Sequence, residues 1–483
     1  MIALPRIVVA GTRSGVGKTT VATGLMAALS ARGLAVSGHK VGPDFIDPGY
    51  HAVATGRPPR NLDAFLHRPE RIAPLLAHGA RGTDVSIIEG VMGMYDGRGA
   101  DDEASTAHIA RLLRAPVLLV VDTTAASRSV AAEVHGFATF DPTVRIAGVV
   151  LNGLGSDGHE ELVRESLRPL GIPVVGALHR DDRLVTPSRH LGLIPAAERS
   201  DDARRTVADL GAAVAARVDL DAVLELARNA PPLATSAWAP ASEVGTAVAG
   251  RPRIAIAGGR AFTFVYEEHR ELLAAAGAEV VTFDPLTDEG LPEGTTGVYL
   301  GGGFPEVHAS ELAANTRLAA DLRSLAAAGG PIVAECGGLL YLCRELDGQP
   351  MVGLIDATAS FGERLTLGYR QARSSSAGAL GPAGTGVHGH EFHRTVVEPR
   401  AGRRPAWELT SRGASGPEGF VTDSVHASYL HAAWVGAPHV ARCFAATAAR
   451  VAADTVGRAT ADRAGAADRQ AGAADRRRSE VSR

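Results

Sequence analysis

Short runs of Val, Ile, Leu and Ala alternate with helix-length amphipathic stretches through residues 6–227. The runs fall at residues 7–10, 85–88, 117–121, 146–151 and 174–177, without the polar alternation of a half-exposed sheet. Continuous apolar strands belong to a parallel sheet covered on both faces, which the pattern predicts here. From 228 to 251 the apolar period fails and Pro, Ala, Ser and Thr accumulate, as in an interdomain linker. The alternation resumes at 253–257, 280–283, 298–300 and 331–334, predicting a second α/β unit. Residues 374–386 are rich in Gly and Ser and predict a mobile surface loop. Beyond about Val456 the chain becomes an Ala/Asp/Arg/Gly tail that repeats Ala-Asp-Arg. Such a tail buries too little apolar surface to offset its ordering entropy, so disorder is expected. The expected division is a first domain at 1–228, a linker at 229–251, a second domain at 252–450 and a tail at 451–483.

Composition narrows the function classes. Lys plus Arg number 49 against 53 Asp plus Glu, a balance that gives no electrostatic case for nucleic acid or an anionic membrane. The three cysteines, Cys336, Cys343 and Cys443, are too few for a disulfide framework and fit no zinc spacing. No run reaches the roughly 18 apolar residues of a membrane span, and the first residues resemble no leader. The expected location is cytoplasmic. The oligomeric state stays open, a homodimer included.

The chemistry begins at Gly11-Thr-Arg-Ser-Gly-Val-Gly-Lys18-Thr19-Thr20, which follows an apolar strand and opens an amphipathic helix. Backbone amides at such a turn cradle phosphates. Thr12, Gly15, Val16, Gly17, Lys18, Thr19 and Thr20 are therefore expected around ATP. Lys18 would reach the outer phosphates and the Thr19 hydroxyl would ligate Mg²⁺. Thr12 stands where the strict pattern has glycine, so this is a variant P-loop. Glu89 closes the strand Ile87-Ile88-Glu89, and Asp96 follows in Gly-Val-Met-Gly-Met-Tyr-Asp. Lys40-Val-Gly-Pro-Asp44-Phe-Ile-Asp47-Pro-Gly-Tyr-His51 closes another strand with two more acids. Acids at the C-terminal ends of parallel strands lie where a nucleotide's metal is bound.

A second constellation lies in Ile332-Val-Ala-Glu335-Cys336-Gly337-Gly338. Strand, cysteine, glycines and helix-like run resemble a nucleophile elbow. A helix N-terminus and a nearby histidine are expected to lower the thiol pKa. The Gly337 amide would stabilise an oxyanion, with a second donor from Gly302 or Gly303 in the loop after Val298-Tyr-Leu. His426 and His431, in His-Ala-Ser-Tyr-Leu-His, are the candidate bases. His388, His390 and His393 form a cluster that is not read as a metal site.

These motifs, with Asn61-Leu-Asp63 and Glu89-Gly-Val-Met-Gly-Met-Tyr-Asp96-Gly, resemble the cobyrinic and hydrogenobyrinic acid a,c-diamide synthase family. The likeness covers about residues 6–445. It implies an α/β chain: a dethiobiotin-synthetase-like P-loop domain with a parallel sheet, then a class I glutamine amidotransferase (flavodoxin-like) α/β domain. The implied reaction amidates the a- and c-acetates of a corrin carboxylic acid with ATP and glutamine, through acyl phosphates. Asp44, Asp47, Glu89 and Asp96 would surround Mg²⁺ and the substrate carboxylate, and Asn152 would read adenine. His431 becomes the base paired with Cys336. The glutamate expected two residues after it is replaced by Ala433, as in the family itself, leaving a dyad. Arg13 occupies the signature-lysine position of related ATPases, so no lysine finger is expected. The histidine cluster would line the corrin pocket or touch the domain seam. The nearest alternative is a cobyric acid synthase acting on other corrin carboxylates. A partitioning-type ATPase switch would leave the cysteine elbow without purpose. A dead scaffold is opposed by the full set of Lys18, Glu89, Cys336 and His431.

Overall fold

The computed structural model describes residues 1–180, 188–189, 192–193, 200–411 and 413–453. The expected tail lies outside the described residues, apart from 451–453.

Seven strands form the first sheet: β1 (Arg6–Gly11), β2 (Val36–Val41), β3 (Arg60–Leu62), β4 (Val85–Glu89), β5 (Val117–Asp122), β6 (Ile146–Leu154) and β7 (Val174–His179). Their order is β3-β2-β4-β1-β5-β6-β7, and every pairing is parallel. The continuous apolar runs thus sit where both faces are covered. β2 reads Val-Ser-Gly-His-Lys-Val yet is wholly buried. Ser37 Oγ lies 2.8 Å from Ser86 Oγ on β4, and His39 Nε2 lies 3.2 Å from Ser37 Oγ.

The second domain contributes β8 (Arg253–Ala257), β9 (Glu279–Phe283), β10 (Thr295–Leu300), β11 (Ile332–Glu335), the long hairpin β12 (Thr358–Ser374) and β13 (Gly386–Glu398), and the short strands β14 (Phe420–Val421), β15 (Val425–Ser428) and β16 (His431–Ala432). The order β9-β8-β10-β11-β15-β14 is parallel except at β14. This is the expected α/β sheet. Beside it stands a largely antiparallel sheet, built on the hairpin, that the apolar pattern does not announce. The Gly/Ser-rich connection after β12 lies at the surface, with Ser375, Ala377 and residues 382–384 exposed. It turns back and buries Ala379 and Leu380.

Residues 229–251 pack on both domains' framework. Leu233 exchanges backbone hydrogen bonds with Ile2, and Trp238 is buried. The domains meet across a seam that pairs polar contacts with an aromatic cluster of Phe45, Phe65 and Tyr266. Arg60 on β3 binds Glu268 at 2.9 Å and Glu271 at 2.6 Å. The Tyr369 hydroxyl on β12 donates to Asp63 Oδ2 at 2.6 Å. His388 Nδ1 lies 2.7 Å from the Phe65 carbonyl oxygen. No helix among the described residues is long and apolar enough to cross a membrane.

Candidate active sites

The P-loop joins β1 to the helix α1 (Lys18–Ala31). Gly15 and Gly17 take φ values of 80° and 97°, which glycine alone adopts without strain. A Cβ on Gly17 would also sit 2.3 Å from Asn152 Nδ2. Asn152, expected to read adenine, donates to the Val16 carbonyl at 2.9 Å, so from β6 it braces the P-loop. The Val16 side chain is in the core, leaving its backbone to the loop. Lys18 Nζ donates to the Arg13 carbonyl at 3.0 Å. Burial, then the neighbouring Lys40 charge, lowers its pKa to about 8. Arg13 pairs with Asp122 of its own chain at 2.7 Å.

Beside Thr19 the acids converge. The Thr19 hydroxyl is 2.6 Å from Glu89 Oε1 and 3.4 Å from Asp47 Oδ2. Lys40 Nζ donates to Asp47 at 2.6 Å, to Glu89 at 2.8 Å and to the Gly90 carbonyl at 3.1 Å. Burial alone would lower the Lys40 ammonium, but Asp47 and Glu89 outweigh it and hold it protonated. Burial would likewise raise Glu89, but Lys40 and His51 keep it ionised. His51 Nε2 lies 2.6 Å from Glu89 Oε2. Asp44 sits at the rim, 4.0 Å from Lys40, accepting from the Ile46 amide. Asp96 accepts from the Gly93 amide at 2.9 Å, next to the Thr12 carbonyl. The sequence alone assigns no role to Lys40 or His51. A lysine in a buried strand, seven residues before an acid, was the available signal.

At the second site Cys336 follows β11 with φ 48° and ψ −103°, left-handed backbone on a non-glycine residue. This is the geometry of a nucleophile elbow. Gly338 allows it, because a Cβ there would meet the Leu300 carbonyl at 2.3 Å. Burial, then the Glu306 carboxylate, pushes the thiol well up, against the Gly337 amide, which favours the thiolate. The expected lowered thiol is therefore overturned, since desolvation exceeds the pull of a six-residue helix. Of the three glycines expected as oxyanion donors, Gly302 is excluded here. Its amide donates to the Phe264 carbonyl at 3.1 Å. The Gly303 amide instead lies against Gly337, 3.0 Å from where a Cβ would stand.

His431, on β16, turns its Cε1–Nε2 edge toward Gly302. No hydrogen bond joins Cys336 and His431 among the described residues. Burial, then His393, lowers the imidazole pKa to about 3, so both partners rest neutral. Its Nδ1 is buried without a hydrogen-bond partner, as a missing third member would leave it. His426 is buried on β15 in register with Val333, two positions short of the Ser428 level that meets Glu335. Of the cluster on β13, His388 touches the seam, His390 stacks on His431 and His393 Nδ1 lies 2.8 Å from the Thr395 carbonyl oxygen. Phe45, between Asp44 and Asp47, was overlooked. Its ring packs 5.1 Å from Phe264, 4.5 Å from Tyr266 and 5.2 Å from His431.

Residues 7–194 match the CobQ/CobB/MinD/ParA nucleotide binding domain, and residues 253–438 the CobB/CobQ-like glutamine amidotransferase domain. The chain is 57% identical to the hydrogenobyrinate a,c-diamide synthase of Streptomyces coelicolor, over 92% of this chain and 97% of that one. It is 52% identical to the enzyme of that name from Thermobifida fusca, over 92% and 96%. It is 44% identical to the cobyrinate a,c-diamide synthase of Gloeobacter violaceus, over 91% and 97%.

Proposed function

The chain belongs to the cobyrinate and hydrogenobyrinate a,c-diamide synthase family, and on that premise we propose how its two sites divide the reaction. It is a ligase that forms C–N bonds with glutamine as nitrogen donor, amidating the a- and c-acetates of a corrin in cobalamin biosynthesis. Relatives named for hydrogenobyrinate share 50–57% identity and those named for cobyrinate 40–44%, which supports the cobalt-free ring as substrate. A cytoplasmic location suits small-molecule substrates of this kind.

A carboxylate cannot expel oxide, so it must first be activated. Transfer of the ATP γ-phosphoryl group to the carboxylate oxygen releases ADP and leaves an acyl phosphate. Lys18 and the P-loop amides hold the phosphates in line for that transfer. Thr19, Asp47 and Glu89 offer hard oxygen donors at one point, a set that fits Mg²⁺ and would hold it. When bound there, the ion neutralises charge on the phosphate oxygens. Lys40 holds Asp47 and Glu89 together, and Asp44 and Asp96 stand at the rim of that site.

At the second site the Cys336 thiol gives its proton to His431 as sulfur attacks the glutamine carboxamide. The oxyanion is held by the amides of Gly303 and Gly337. His431 returns the proton to the leaving nitrogen, ammonia departs, and water cleaves the thioester to glutamate and free thiol. Ammonia then attacks the acyl phosphate and expels phosphate. The observation that carries this reading is Phe45. The loop that presents Asp44 and Asp47 is the loop packed 5.2 Å from the glutaminase histidine.

The test is mass spectrometry of hydrogenobyrinic and cobyrinic acids incubated with enzyme, ATP, Mg²⁺ and glutamine. Two amides per ring are expected. Cys336→Ala should lose the glutamine-driven product and keep the ammonium-driven one, whereas Lys18→Ala should lose both. A different number of amides, or none on either ring, would overturn the substrate assignment.

A further inference from the structure

The dyad lacks the carboxylate that usually orients the base. The residue two positions after His431 is Ala433, and His431 Nδ1 is buried without a partner. The acids nearby are otherwise engaged. Glu391 is bound by Arg370 at 2.5 Å, and Glu335 accepts from Tyr299 and the Ala432 amide. An imidazole rotates about two single bonds, so something else must hold the ring.

His390 is placed to do so. It stands directly opposite His431 in the antiparallel pairing of β13 and β16. Its ring lies 4.8 Å from that of His431 at an interplanar angle of 10°. His390 is itself fixed, because its Nε2 is 3.0 Å from the Tyr266 hydroxyl. Gly389 lets the strands approach this closely, since a Cβ there would meet the His431 carbonyl at 2.4 Å. We infer that His390 is a positioning residue for the glutaminase, its ring stacked on His431 in place of the missing acid. Burial, then the charges of His431 and Arg370, keeps the His390 ring neutral. It therefore offers a π face to the imidazolium that forms when His431 takes the thiol proton, the geometry of a cation–π contact. The stack fixes both the ring's plane and its charged form.

This inference rests on the Cys336–His431 reading, and the experiment separates the two. Glutamine-driven and ammonium-driven amidation are measured for wild type, His431→Ala, His390→Ala and His390→Phe. His431→Ala should lose only the glutamine-driven rate; its retention would sink the dyad itself. With His431→Ala inactive, His390→Ala should lower the glutamine-driven kcat by about 10- to 100-fold with KM within about threefold of wild type. The ammonium-driven rate should stay at the wild-type level, which shows that the chain is folded. His390→Phe keeps a planar π face and should recover most of the rate. An unchanged kcat in His390→Ala would overturn the inference. So would an equal loss of both activities, or a phenylalanine variant as poor as alanine.

Discussion

Glu335, the residue before the nucleophile, carries a buried carboxyl whose pKa is pushed up to about 8 by burial, against the opposing hydrogen bonds of Tyr299 and the Ala432 amide. In an unfolded chain a glutamate titrates near 4.3. Between those values the folded protein holds a proton that the unfolded chain has released. The group's contribution to stability is thus complete below about pH 4.3 and is lost as pH rises toward about 8. Glu335→Gln keeps the shape and removes the titration. Urea midpoints at about pH 5 and pH 8 should therefore separate less in the variant than in wild type. Equal separations would mean that Glu335 is ionised in the fold. A neutral Glu335 also matters chemically, because a carboxylate there would add to the burial that already disfavours the Cys336 thiolate. In the proposed mechanism Cys336 thus rests as a thiol, and charge separates only once glutamine is bound.

At the scale of elements, β16 is two residues long and carries His431, the proposed base. Its position depends on β13, where Gly389 faces the His431 carbonyl. Gly389→Ala adds a single methyl that cannot fit without parting the strands. The glutamine-driven rate should fall at least about tenfold, at a stability cost of about 1–3 kcal/mol. Retention of the full rate would show that β16 is held from its other side. This hairpin was the least legible part of the sequence. A half-buried strand is normally announced by apolar residues at every second position, but β13 buries His390, Glu391 and Thr395 among its apolar positions. Those polar residues are paired with groups remote in sequence, which no local period encodes. The parallel strands β1, β4, β5 and β11 were legible because both faces are apolar. The places of Lys18, Glu89 and Cys336 at strand ends were legible because the motifs around them fix their neighbours. Phe45 and His390 were not, because an aromatic ring at a seam has no spacing rule. Gly302 and Gly303 could be separated only once the Phe264 partner was seen.

Across the whole molecule, the proposed reaction requires ammonia to cross the seam before it becomes ammonium in bulk water. Its central ion pairs join Arg60 of the first domain to Glu268 and Glu271 of the second. Glu268 is 1% exposed, so Arg60 is the cation that makes its charge tolerable there. Arg60→Met leaves that carboxylate buried without a partner, at a cost of about 3–5 kcal/mol. Burial already pushes the Glu268 carboxyl up, so the variant's deficit should shrink as pH falls and the acid takes a proton. Calorimetry at two pH values checks the sign. Replacing Glu268 by Met as well removes the stranded charge, and the double variant should regain much of the loss. A loosened seam predicts a further effect on activity. Ammonia would escape to solvent, so glutamine consumed per amide formed should rise in Arg60→Met while ammonium-driven amidation holds. If the ratio stays at wild-type level while the melting temperature drops, the Arg60 network serves stability alone, and ammonia crosses nearer Phe45, where the ring packed on His431 is continuous with the loop of Asp44 and Asp47.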